Sequence, residues 1–197
     1  MHRPRKSRFL CAVMVGVGCL FLAGCEIFED KTEENALRSS LAQKPNDTKS
    51  RAELASLLSH KGEHEEAARI LVEGVRHAPD DGAMRRQLAQ TYTFWAWETS
   101  NDRHLSTALT HWKHLIDMGA AGADDYYQLG HVLDTKGLRQ LAADAYSMAA
   151  ALEPENSSYR AGIAWAYKET GQYETALPLL QRLVEQHPDN HQYHTGG

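Results

Sequence analysis

The chain has 197 residues, 24% charged and 42% hydrophobic, enough for one globular domain with a real core. Residues 1–24 hold four of the 21 Lys and Arg and none of the 26 Asp and Glu, so the remainder carries a net −9 and lacks the basic footprint that nucleic acid demands. Two of the three cysteines, Cys11 and Cys19, also fall in that stretch, which excludes a disulfide within the rest.

Taken in order, Arg3, Arg5, Lys6 and Arg8 precede an apolar run from Phe9 to Leu22, too short to span a bilayer comfortably. Basic residues followed by a short apolar run form a signal-peptide pattern over residues 1–24. The run ends in Leu22-Ala23-Gly24-Cys25, which resembles a bacterial lipobox. That resemblance implies cleavage between Gly24 and Cys25 and a lipid on the Cys25 thiol; the competing reading is a plain secretory signal with an accidental cysteine. Glu26 stands where aspartate commonly marks inner-membrane retention, so in a Gram-negative source the resemblance implies the outer membrane, facing the periplasm. Residues 25–30 are the lipidated cysteine and a linker of at most ~18 Å. The acidic side chains there would be repelled by anionic headgroups.

A helical segment follows from Lys31 to Gln43 and stops at Pro45. Beyond it, Leu54-Ala55, Leu58, Gly62, Ala67, Leu71 and Pro79 set out a pattern: apolar residues at three and four, a glycine, the same spacing again, then a proline. This predicts a helix, a turn and an antiparallel helix. The pattern returns with Leu88-Ala89, Tyr92, Ala108, Trp112 and Leu115, but the interval from Tyr92 to Ala108 is longer than the one from Leu58 to Ala67. Seven residues are inserted, and one extra turn on each helix would accommodate them, with the turn at Ser100-Asn101-Asp102. The inserted region is rich in rings, from Tyr92 to Trp97; packing on itself and forming a contact surface are both open.

From Ala123 to Asn190 two 34-residue units align without a gap. Leu129-Gly130, Leu133, Gly137, Ala142, Tyr146, Ala149 and Pro154 fall opposite Ile163-Ala164, Tyr167, Gly171, Ala176, Leu180, Leu183 and Pro188. Asp80-Asp81 and Asn156-Ser157 restart the units as helix N-cap residues. This spacing resembles the tetratricopeptide repeat. The resemblance implies an all-α solenoid of antiparallel helix pairs: a capping half repeat at 31–45, four units over 46–190, the second with the insertion, and a tail at 191–197.

In that family the first helices of successive repeats line a concave groove. The matching positions include Arg86, Gln90, Thr93 and Phe94, then Tyr127, His131 and Asp134, then Ala161, Trp165 and Lys168, a mixture of stacking faces, donors and acceptors typical of peptide-binding surfaces. The array ends without a capping helix, and the second helix of the fourth unit has a broad apolar arc. Leu179, Leu183 and Val184 are therefore expected as a partly exposed patch for self-association or a client contact.

No phosphate loop, nucleophile elbow or dinucleotide turn occurs, so no catalytic residue and no cofactor is expected. The eleven histidines bring no cysteine or closely placed carboxylate that would complete a zinc site. The adjacent carboxylates Asp124-Asp125 read as helix-start partners. The expected role is a membrane-anchored, non-enzymatic scaffold binding protein partners in the bacterial cell envelope, for assembly of a pilus/secretin-type or cytochrome c maturation-type complex. The alternative is an accessory or metal-binding subunit of an envelope enzyme.

Overall fold

A computed structural model describes residues 20–189, with side chains from Lys31 onward. Among the described residues the structure is nine α-helices joined by short turns: α1 Leu20–Gln43, α2 Thr48–His60, α3 His64–His77, α4 Gly82–Thr99, α5 Asp102–Asp117, α6 Ala123–Thr135, α7 Arg139–Leu152, α8 Ser157–Glu169 and α9 Tyr173–Gln186. The chain divides after Asp47 into two compact units. Residues 1–19, which fall in the stretch read as a signal peptide, and residues 190–197, which include the tail read at 191–197, lie outside the described residues.

The first unit holds α1, which is already helical at Leu20, ahead of Lys31, and runs through the residues read as a linker. Arg38 is paired with Glu34 at 2.8 Å, one turn away on the same helix. None of the described helices is long and apolar enough to cross a membrane.

Among its described residues the second unit is an array of antiparallel helix pairs, α2 with α3, α4 with α5, α6 with α7 and α8 with α9. In three of them the first helix has 13 residues and the second 14. Each of these pairs turns on a glycine with positive φ, at Gly62, Gly137 and Gly171, where a side chain would be strained. The Asp81 and Asn156 side chains accept the Met84 and Ser158 amides, as their N-cap reading requires.

One position of the second helix plugs each pair. Leu71, Trp112, Tyr146 and Leu180 occupy it, all buried, and each such side chain contributes roughly 1.5–3 kcal/mol through burial. The Tyr146 ring lies against Gly130 of α6 and Gly162 of α8; a Cβ on Gly130 would stand 2.4 Å from the ring, and one on Gly162 2.9 Å. The main core cluster runs from Ala89 and Ala96 of α4 through Trp112 of α5 and Leu129 and Leu133 of α6 to Tyr146 of α7.

The insertion corrects the expectation of one extra turn on each helix. α4 has 18 residues and α5 has 16, so most of the added length sits on the first helix. The buried stripe Ala89, Thr93 and Ala96 continues up α4 at the i, i+4, i+7 spacing that keeps one face inward, which gives the longer helix something to pack. Ser100 closes the hairpin with φ 51°, the left-handed conformation that glycine supplies elsewhere, and the Asn101 side chain caps α5 by accepting the Arg103 amide.

Candidate functional site

The first helices α2, α4, α6 and α8 stand side by side within the second unit and carry the residues read as a groove. Between α2 and α4 lies a cleft of about 540 Å³ lined by Ser59, His60, His64, Gln90, Phe94 and Glu98 among others. Its hydroxyls are partly matched, with Ser59 and Thr91 3.3 Å apart, and Gln87 on its wall donates to the Ala52 carbonyl at 2.7 Å. Gln90 is half-buried in this wall, while Phe94 is 49% exposed at its rim.

Arg86 is more committed than a free donor would be. Its Nε donates to Asp125 Oδ1 at 2.6 Å, and its Nη2 donates to Asp125 Oδ2 at 2.8 Å and to the Ala120 carbonyl at 2.9 Å. The buried Asp125 also accepts the Gly122 amide at 2.8 Å, so one carboxylate both starts α6 and ties it to α4. The neighbouring Asp124 accepts from the Tyr159 hydroxyl at 2.5 Å. Burial and this carboxylate push the Tyr159 phenol well above its usual range.

Farther along, Tyr127 is half-buried and packed edge-on or tilted among rings, with its centroid 5.0 Å from that of Tyr159, 5.5 Å from Tyr146 and 4.4 Å from His131. His131 Nδ1 lies 3.3 Å from the Tyr146 hydroxyl, and burial holds its imidazole below the usual histidine range. Asp134 is exposed and 3.7 Å from Arg139. Trp165 is half-buried with the Lys168 ammonium 4.8 Å from its ring centroid, a cation–π contact. The structure thus brings Tyr127 and His131 into one ring cluster and Trp165 with Lys168 into a second, and leaves Arg86 as a clasp.

Two groove positions are corrected. Thr93 is fully buried because its hydroxyl donates to the Ala89 carbonyl at 2.8 Å and accepts from Trp112 Nε1 at 3.1 Å. Ala161 packs inward in the cluster of Ala164, Leu180 and Leu183. The terminal patch is corrected as well: Leu183 is 1% exposed in that cluster, while Leu179 and Val184 are only partly covered against it. The large exposed apolar residues of α9 are Tyr173 and Leu177. One helical stripe must meet α8, and Leu180 and Leu183, three apart, are that stripe.

The ring-rich insertion divides. Trp95 stacks on His104 with centroids 3.7 Å apart, and Tyr92 lies between Trp95 and His111 at 5.9 Å from each. Phe94 and Trp97 form an edge-to-face pair at 5.7 Å on the exposed side. Burial, with Arg85 and His114 nearby, brings the His111 pKa down to about 4. Among the described residues no three His, Cys, Asp or Glu side chains come close enough together to hold a metal ion. The backbone of Gly24 and Cys25 belongs to α1, and the Cys25 side chain lies outside those described.

Family profiles for the tetratricopeptide repeat match residues 29–104 and residues 137–196, together well over half of the chain. The chain belongs to the tetratricopeptide-repeat family. No curated protein sequence matches it. Of solved structures with the same fold, YrrB, described as a TPR protein with an unusual peptide-binding site, aligns with a TM-score of 0.69 at 18% identity, over 82% of this chain and 79% of that one. MamA aligns with a TM-score of 0.72 at 18% identity, over 92% and 100%. TTC0263, a thermophilic TPR protein of Thermus thermophilus, aligns with a TM-score of 0.61 at 20% identity, over 88% and 91%. At these identities the likeness concerns the fold, a tetratricopeptide solenoid suited to a protein-binding scaffold.

The residues around the α3 start escaped the sequence pattern. His64 and Glu98 are distant in sequence, yet Nε2 of one stands 2.9 Å from Oε2 of the other. The inserted length of α4 was the one available signal, because it moves Glu98 past the end of an ordinary first helix.

Proposed function

We propose that this tetratricopeptide array is a lipid-anchored scaffold of the bacterial cell envelope that holds a segment of a client protein along its inner face and performs no chemistry of its own. The observation that carries the reading is the row of partly exposed rings on three successive first helices, Phe94, Tyr127 and Trp165, with His131 and Lys168 beside them. Rings of this kind anchor partner segments because they offer large apolar area at low conformational cost. Anchoring through a lipid on Cys25, placement at the outer membrane, and assembly of a pilus/secretin-type or cytochrome c maturation-type complex rest on the lipobox resemblance and belong to the same proposal. Self-association through the terminal repeat rests now on Tyr173 and Leu177.

A photo-reactive residue placed at Phe94, at Trp165 and, as a control, at Met148 of α7 tests the groove in native membranes. Clients crosslinked from the first two positions and not from the third are expected. Equal capture from all three would remove the groove as the binding face. Cys25→Ser tests the anchor: it should block processing and membrane association, and normal fractionation of the variant would refute lipidation.

A further inference from the structure

The residues that α4 gains from the insertion build something the other repeats do not have. A first helix as long as α2, with 13 residues, would end at Phe94 if it started at Gly82, so Trp95, Trp97 and Glu98 are all beyond that point. Trp95 and Glu98 meet the start of α3, where His64 is only 4% exposed and stands between two clefts. One cleft is the 540 Å³ space already described, with Phe94 and Glu98 on its rim. The other, about 550 Å³, is lined by Glu63, His64, Glu65, Glu66, Arg69 and Trp95.

Four carboxylates border these clefts. Arg69 is bonded to Glu66 at 3.2 Å, and Arg86 is committed to Asp125. That leaves Glu63, Glu65 and Glu98 as acidic groups to which no arginine or lysine is bonded among the described residues. His64 adds a second, independent deficit. Its Nε2 is close to Glu98 but off the line of a good hydrogen bond, and its Nδ1 has no partner. Both ring nitrogens are thus buried without a hydrogen-bond partner, and a buried polar atom left unpaired costs free energy. With Glu63, Glu65 and Glu98 around it the site is rich in carboxylate acceptors, and the charge that would balance them is positive. A carboxylate or phosphate ligand would meet like charge here.

We propose that the His64–Glu98 site receives a lysine or arginine of the client segment, with an apolar or aromatic neighbour lying against the Phe94–Trp97 pair. This rests on the reading that the inner face binds a client segment, and adds what that segment carries. An ammonium or guanidinium supplies several donors at once, matches Glu63, Glu65 and Glu98 in charge, and is attracted by the Trp95 ring. Phe94 and Trp97, 49% and 39% exposed, leave ring surface for the adjoining side chain. The net −9 of residues 25–197 favours approach of a basic partner from a distance, and the site gives that attraction a place to end.

The test uses the full chain in detergent micelles and two fluorescein-labelled ten-residue peptides, one alternating lysine with phenylalanine, the other glutamate with phenylalanine. Fluorescence anisotropy is expected to show the basic peptide binding at least tenfold more tightly than the acidic one. Combined Glu63→Gln, Glu65→Gln and Glu98→Gln should weaken the basic peptide tenfold or more. Combined Glu155→Gln, Glu174→Gln and Glu185→Gln, three exposed acids elsewhere with the same change in net charge, should leave it within twofold. Equal weakening by both sets would reduce the effect to bulk charge and overturn the site, as would equal affinity for the two peptides. Should the triple variant fail to fold, Glu98→Gln alone decides, with a threefold or greater weakening expected and no change overturning the proposal. The broader groove reading is judged separately by crosslinks from Trp165: if these persist while the site variants bind the basic peptide as wild type does, this inference falls and the groove stands.

Discussion

Arg86 and Asp125, 39 positions apart in sequence, meet through two parallel hydrogen bonds of 2.6 and 2.8 Å that fasten α4 to α6. The guanidinium is 35% exposed and the carboxylate 5%, so the two ends of this pair are solvated very differently. Arg86→Ala would leave the carboxylate buried with only the Gly122 amide. Breaking a fully buried pair costs about 3–5 kcal/mol, and the partial exposure of Arg86 reduces that to about 2–3 kcal/mol. Urea denaturation of the variant should show this loss, and a change no larger than about 0.5 kcal/mol, the size expected of an ordinary surface substitution, would mean that the clasp is ornamental.

Gly130 faces the ring of Tyr146 with no room for a methyl group. Gly130→Ala gains about 1 kcal/mol of helix propensity but forces the ring or α6 to move, which costs about 1–3 kcal/mol. A net destabilisation of up to about 2 kcal/mol is expected, and Tyr146→Leu in the same background should recover part of it. A Gly130→Ala protein more stable than the parent would show that the ring withdraws freely.

Thr93 accepts the hydrogen bond of the buried Trp112 indole. Thr93→Val preserves shape and removes the hydroxyl, leaving Nε1 without that partner at a cost of about 1–3 kcal/mol. Thr93→Ser keeps the acceptor and should lose less. If the two variants melt together, the indole has found another acceptor.

His111 gives the array a pH dependence of known sign. Its folded pKa, about 4, is below the ordinary value of 6.5, so between these limits the unfolded chain binds a proton that the folded one refuses. Stability is fully present above about pH 6.5 and is lost as pH falls toward about 4. Because His111 is only partly buried, the effect is discounted to about 1–2 kcal/mol. His131, also depressed by burial, adds in the same direction. Denaturation at pH 7 and pH 5 should show the fall, and His111→Gln should flatten it; an unchanged slope in that variant would assign the dependence to other groups.

The repeat spacing was legible because packing imposes it. The 34-residue intervals from Gly137 to Gly171 and from Pro154 to Pro188 each mark a place where the chain must turn or stop, and the helices begin and end around them. The number of inserted residues was equally plain, but not their distribution, since periodicity counts residues between anchors and is silent on which helix keeps them. The buried face of α4 decided that, with Thr93 and Ala96 extending its inward stripe. The groove was legible as a row of positions and not as a set of commitments. Nothing in the spacing reveals that Arg86 is spent on Asp125, or that His64 and Glu98 adjoin, because those contacts depend on where the neighbouring helix ends. Leu183 was misplaced because an apolar arc on a terminal helix shows how much surface wants covering, and the choice between Leu183 and Leu177 is made by the rotation of α9 on α8.

The plug residues Leu71, Trp112, Tyr146 and Leu180 are matched to different neighbours, and the small residue of the first helix changes with them: Ala55, Ala89 and Ala164 in three repeats, Gly130 in the remaining one. The units share a rhythm yet are not interchangeable. A copy of the third repeat spliced in place of the second would set its tyrosine against Gln128, where Tyr146 meets Gly162, and a copy of the second in place of the third would bring an indole to a joint cut around that glycine. An array of this kind cannot grow or shrink by whole-unit exchange alone; each joint would have to be recut on both sides, which fixes the number and order of its repeats more firmly than their similarity suggests.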